Sequence, residues 1–131
     1  MGVRLLLDTQ VLLWLLTAPE RIPTATLQVV RDPATSLLVS AASAWELATK
    51  HRMGRLPEAT ALVEGYAEHL ARLQVAELPV TSPAGLLAGS LAWKHRDPFD
   101  RMIVAQAMLD SLPVVSADSV ISEFPGIRVH W

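Results

Sequence analysis

Lys94-His95-Arg96-Asp97-Pro98-Phe99-Asp100-Arg101-Met102-Ile103-Val104-Ala105-Gln106-Ala107 places two carboxylates at the start of an amphipathic helix. Asp97 before Pro98 reads as an N-cap followed by proline at the first helical position. Asp100 falls three residues after the cap, in the first turn, where the helix dipole favours negative charge. Capping accounts for Asp97. It does not account for Asp100, whose side chain can face whatever lies beyond the helix N-terminus. The reading of the chain turns on whether other acids reach the same place.

Outward from that helix, short apolar runs alternate with helical segments. Val3–Leu7 is continuous rather than alternating in hydropathy, as a strand buried on both faces is. Asp8 or Thr9 can cap the next helix, Gln10–Thr17, which Pro19 ends. Pro23 opens a second helix to about Arg31, broken by Asp32-Pro33. Leu37–Val39 is a second strand, and Ser40 caps a helix that carries Trp45, Glu46 and Leu47 and stops near Met53-Gly54. Leu62, Tyr66, Leu70 and Leu73 are spaced as on a helix over Glu58–Leu73. Val75–Leu78 is a strand, Ser82-Pro83 opens a helix to about Leu91, and the central helix runs to about Asp110. Strands follow at Leu112–Val115, running into Ser116-Ala117-Asp118, and at Ile127–His130, on an edge. The alternation predicts an α/β domain with a largely parallel sheet and helices on both faces.

Composition fits one compact domain over residues 1–131, with 51% hydrophobic and 18% charged residues. The net charge of -2 gives no global attraction to nucleic acid, so any such binding must come from local patches. Cysteine is absent, which excludes disulfides and thiolate metal sites and fits a reducing compartment. Asp8 interrupts the N-terminal apolar run before it reaches signal-peptide length, and no run is long enough to span a membrane. The expectation is a soluble, cytoplasmic protein. The segment Val11–Leu16 is apolar all round, so it is expected to need cover from a partner.

In a parallel sheet the C-terminal ends of the strands share one edge, and ligands bind there. Asp8 follows the first strand and Asp118 follows the strand at Val114-Val115. Glu46 and Asp100 lie near the starts of helices that begin at the same edge. Separately each has a plain explanation: Asp8 as a cap, Glu46 as a surface residue, Asp118 as a turn residue. Together, carboxylates at one edge repel one another unless a cation sits between them. Oxygen ligands select Mg²⁺ or Mn²⁺, and the usual chemistry of such a site is in-line displacement at phosphorus.

Leu5-Leu6-Leu7-Asp8-Thr9, Ala42-Ser43-Ala44-Trp45-Glu46-Leu47-Ala48, the His95–Ala107 segment and Val114-Val115-Ser116-Ala117-Asp118-Ser119 occur in this order along essentially the whole chain. In these motifs the chain resembles PIN-domain proteins, and within them the VapC-type toxins of bacterial toxin–antitoxin systems. The resemblance implies a three-layer α/β/α fold with a central, mostly parallel sheet. It implies a Mg²⁺- or Mn²⁺-dependent endoribonuclease, usually dimeric, held inactive by a cognate antitoxin. Asp8, Glu46, Asp100 and Asp118 match the family's acidic, metal-holding positions. Asp97 is an additional acid of one subgroup with an open role. Ser116 matches a hydroxyl position and can orient Asp118 or water. Trp93 departs from the proline usual before this segment, which leaves the local loop path open.

Other residues keep two readings. Lys50-His51-Arg52 and Lys94-His95-Arg96 are solvated helix ends or phosphate-binding patches, with Lys50, Arg52, Arg96 and Arg101 as candidate RNA contacts. The histidines lack metal-ligand spacing and read as non-ligands, although His95 can approach substrate. Trp14, Trp45, Trp93 and Phe99 read as core or partner contacts rather than base-stacking platforms. Rival functions are a metal-dependent phosphatase or DNA nuclease on a similar sheet, and a non-catalytic binding or signalling module. A haloacid-dehalogenase-type phosphatase needs an acid at position 10, where the chain has Gln10. A signalling receiver needs an aspartate after a central strand, and neither Leu37–Val39 nor Val75–Leu78 is followed by one.

Overall fold

The computed structural model describes residues 2–131; Met1 lies outside them. Five strands form one sheet in the order β3-β2-β1-β4-β5, with β1 (Arg4–Leu7) in the middle. Its neighbours are β2 (Ser36–Ser40) and β4 (Val114–Val115), and the edges are β3 (Val75–Leu78) and β5 (Val129–His130). Every pairing is parallel. Leu5 and Leu7 point into a core shared with α1 (Thr9–Thr17), α4 (Thr60–Glu64) and α5 (Tyr66–Leu73). Leu6 points into the opposite core, against α7 (Pro98–Asp110) and α8 (Ser119–Ser122). The continuous apolar run of β1 thus serves two layers at once, and the architecture is the expected three-layer PIN-like α/β/α fold.

The remaining helices are α2 (Thr24–Arg31), α3 (Ala41–Arg52) and α6 (Ser82–Ser90). Ser40 caps α3 through the N–H of Ala42, and Gly54 takes φ +74° just past its end, a left-handed turn that glycine makes at little cost. Two expectations change. The continuous helix over Glu58–Leu73 is a 3₁₀ turn and two short helices, parted at Gly65. The all-apolar α1 is largely covered within the chain: the core buries Val11, Leu12, Leu13 and Leu15, while Leu16 is partly buried and Trp14 packs against Trp131. Exposed apolar side chains lie elsewhere, at Trp45, Val80 and Leu86 among others.

Strand order sets the position of the site. The chain winds from β1 to β2 and β3 on one side, then returns to β4 and β5 on the other. The switch point lies between the C-terminal ends of β1 and β4, where open parallel sheets form their crevice.

Candidate active site

A cleft of about 430 Å³ opens at that switch point, and Asp8, Glu46, Lys50, His95, Asp97, Asp100 and Asp118 line it. Asp8 holds the N-cap position of α1 but makes no capping bond. Its Oδ2 instead accepts a 2.7 Å hydrogen bond from Ser116 Oγ, which in turn accepts from the Asp118 N–H at 3.0 Å. Ser116, fully buried at the end of β4, therefore couples the two strand ends on which Asp8 and Asp118 sit. Burial raises the Asp8 carboxyl to about 7; the Ser116 hydroxyl opposes the rise, and the charges of Asp100, Glu46 and Asp118 add to it.

Asp97 does cap α7, accepting from the N–H groups of Phe99 at 2.8 Å and Asp100 at 3.3 Å. The first turn then carries Asp100 into the cleft, where Oδ2 meets His95 Nε2 at 2.6 Å. Burial, chiefly, raises the Asp100 carboxyl to about 6; the His95 bond holds it down, and Asp97 and Glu46 push it up. Asp118 caps α8 through the Val120 N–H at 2.9 Å, using Oδ1.

Glu46 is 5% exposed, not a surface residue. Its Oε2 bonds the Lys50 ammonium one turn along α3. Its Oε1 is buried without a hydrogen-bond partner among the described residues. Buried carboxylate oxygens are rarely left so, because the loss of hydration is uncompensated. The orphaned oxygen, the neighbouring carboxylates and the all-oxygen donor set fit a hard divalent cation. A histidine can join the donors on the α7 side, where atoms of His95, Asp97 and Asp100 lie within 4.8 Å of one another.

The profile of the PIN domain matches residues 5–127. The chain belongs to the PIN domain family. PIN domains are generally nucleases and use divalent metals. No curated protein matches the sequence. Among solved structures, the fold is similar to VapBC2 from Rickettsia felis bound to a DNA fragment from its promoter. That likeness has a TM-score of 0.70 at 11% identity and covers 98% of both chains. It is also similar to DNA-bound VapBC from Salmonella typhimurium, with a TM-score of 0.60 and 22% identity over 98% of this chain and 97% of that one. At these identities the likeness is one of fold.

Within this PIN domain, the four acids read from the sequence come to one cleft, and Asp97 reaches its rim. Ser116 holds the Asp8 side chain and the backbone of Asp118, rather than the Asp118 carboxylate. His95, read as a non-ligand, is in the cleft. Its one sequence signal was position, immediately before the Arg-Asp-Pro segment that opens α7. Arg101, read as a candidate RNA contact, turns inward. Its guanidinium donates to the carbonyls of Ala88, Gly89, Leu91, Trp93 and His95 at 2.8–3.5 Å. It braces the loop that presents His95 and leaves little donor capacity for RNA. Arg52 and Arg96 are exposed. Trp45 stands largely in solvent with Phe99 edge-on at 4.8 Å, and Trp93 packs between His95 and Phe124.

Proposed function

We propose that this protein is a Mg²⁺- or Mn²⁺-dependent endoribonuclease, the toxin of a VapBC-type toxin–antitoxin pair, acting in the cytoplasm. The observation that carries the reading is Glu46 Oε1, a buried acceptor without a hydrogen-bond partner among the described residues, set beside other carboxylates at the switch point of a PIN fold. Asp8, Glu46, Asp100 and Asp118 would hold the cation, with His95 and Asp97 beside them. When bound, the ion neutralises charge developing on the phosphate and lowers the pKa of water.

The chain's own residues do the rest. Ser116 fixes the rotamer of Asp8 and the backbone of Asp118. Arg101 fixes the path of residues 93–95, and so the ring that steadies Asp100. Lys50 at the cleft, with Arg52 and Arg96 outside it, supplies positive charge for the RNA backbone. The similar solved structures are VapBC assemblies, which supports a cognate antitoxin as partner, and the exposed Trp45, Val80 and Leu86 give the chain apolar surface of the kind that protein partners, including a second copy, cover.

The test is cleavage of structured RNA by purified, antitoxin-free protein. Cutting should need Mn²⁺ or Mg²⁺, stop in EDTA, and disappear in Asp100→Asn. Cleavage that persists in EDTA, or activity confined to DNA or to phosphomonoesters, overturns the reading.

A further inference from the structure

Lys50 and Lys94 are the two lysines of the chain. Lys94 is exposed; Lys50 lines the cleft, and its ammonium bonds Glu46 Oε2. A lysine ammonium is a charged group at neutral pH, and here it is bonded to a carboxylate. The Lys50 side chain keeps 27% exposure against 7% for Glu46, so it sits at the mouth of the cleft rather than its floor. A lysine head on a flexible four-carbon stem can leave such a position without disturbing the fold.

Two features separate this pair from a purely structural salt bridge. Buried ion pairs hold when the remaining lone pairs are satisfied, and Glu46 Oε1 is not. One lysine also faces five cleft carboxylates, those of Asp8, Glu46, Asp97, Asp100 and Asp118. The ammonium takes Oε2 of a buried acid and leaves its buried Oε1 without a hydrogen-bond partner among the described residues. Resting on the metal-dependent ribonuclease reading, we infer that Lys50 is a built-in counterion of the cleft. It holds Glu46 in the metal-free protein, competes with the divalent cation for that carboxylate, and contacts an RNA phosphate once displaced.

The experiment is calorimetric titration of metal-free protein with Mn²⁺, wild type against Lys50→Met. Removing a positive charge in contact with a ligand should tighten Mn²⁺ binding about tenfold. RNA cleavage at saturating Mn²⁺ should weaken mainly through KM, and Lys50→Arg should recover most of that loss. A merely structural lysine predicts the opposite: weaker Mn²⁺ binding together with weaker cleavage. A second measurement needs no variant. Acetylation of wild type, read by mass spectrometry with Lys94 as internal reference, should reach Lys50 several-fold faster when Mn²⁺ is present. An uncleavable 2′-O-methyl RNA should then protect it. Equal or weaker Mn²⁺ binding by folded Lys50→Met, or labelling indifferent to Mn²⁺, overturns the inference and leaves the ribonuclease reading standing. Absence of Mn²⁺ binding by wild type removes both.

Discussion

At the start of α7, Asp97 Oδ1 accepts from the backbone N–H groups of Phe99 and Asp100. At the start of α1, Asp8 holds the same position and its side chain makes no capping bond. Asp97 is half-buried, but Asp8 is 7% exposed and faces the other acids of the cleft. A missing cap costs about 1 kcal/mol, and burying a carboxylate beside others costs more. The start of α7 divides the work between two residues, Asp97 for the helix and Asp100 for the cleft. The start of α1 has one residue, and stability gives way. Such a local violation of helix rules marks a place where the side chain is needed for something other than folding.

The largest test of that contrast is catalytic. Asp8→Asn should lower RNA cleavage by at least about a hundredfold, since even the outer partners of metal ligands are worth about 10- to 100-fold. Asp97→Asn, which preserves an oxygen for capping, should cost under about tenfold. Single-turnover rates measure both. A larger loss in Asp97→Asn would reverse the roles assigned to the two aspartates.

Next in size is pH dependence without metal. The folded-state pKa values of Asp8 and Asp100 are raised, to about 7 and about 6, above that of an unfolded aspartate. The folded protein therefore binds these protons more tightly than the unfolded chain does. Stability is greatest at low pH within this window and falls as pH rises through the folded pKa values. In EDTA, thermal melts should show Asp8 alone removing about 2 kcal/mol between about pH 5 and about pH 7.5. Asp8→Asn should flatten most of that slope and melt higher than wild type at neutral pH. Mn²⁺ should restore wild type there, because it binds only the assembled site. A mutant that melts lower in EDTA would make Asp8 a supporting residue of the fold.

The smallest effect is expected at the start of α7. Asp97→Ala should cost about 1 kcal/mol in denaturant titrations, the value of a lost cap. The equivalent change at Asp8 should cost no cap energy. Equal losses at the two positions would erase the distinction.

Much of this was legible because the chain punctuates itself. Asp97-Pro98, Ser40 and Gly54 mark helix ends by chemistry that acts within a few residues; α7 begins, and α3 begins and ends, where those signals place them. β1 was legible through its unbroken apolar run. Gly65 was not read as a break, because Leu62, Tyr66, Leu70 and Leu73 keep helical spacing across it. The α1 segment looked unburiable because the sequence does not show that α4, α5 and Trp131 converge on it. In the site, the four acids could be grouped by the edge they share. Glu46 alone looked like a surface residue, since burial is a property of the packed neighbours. Arg101 carried no sign of its five carbonyl partners, which come from a helix end and a loop that meet only in the folded chain. The role of Ser116 was half read, as a hydroxyl near the fourth acid: it does hold the Asp118 backbone, but the carboxylate it bonds is that of Asp8.

The Ser116–Asp8 hydrogen bond joins residues 108 apart. A chain synthesised from its N-terminus at ~5–20 residues per second waits roughly 5–20 s between making one partner and making the other. During that interval Asp8, Glu46 and Asp100 all come to exist, but β1 has no neighbour on its β4 side and the carboxylate of Asp8 has no anchor. For the proposed ribonuclease, made by ribosomes that are themselves RNA, the order of assembly delays the finished cleft until Ser116 and Asp118 have been made.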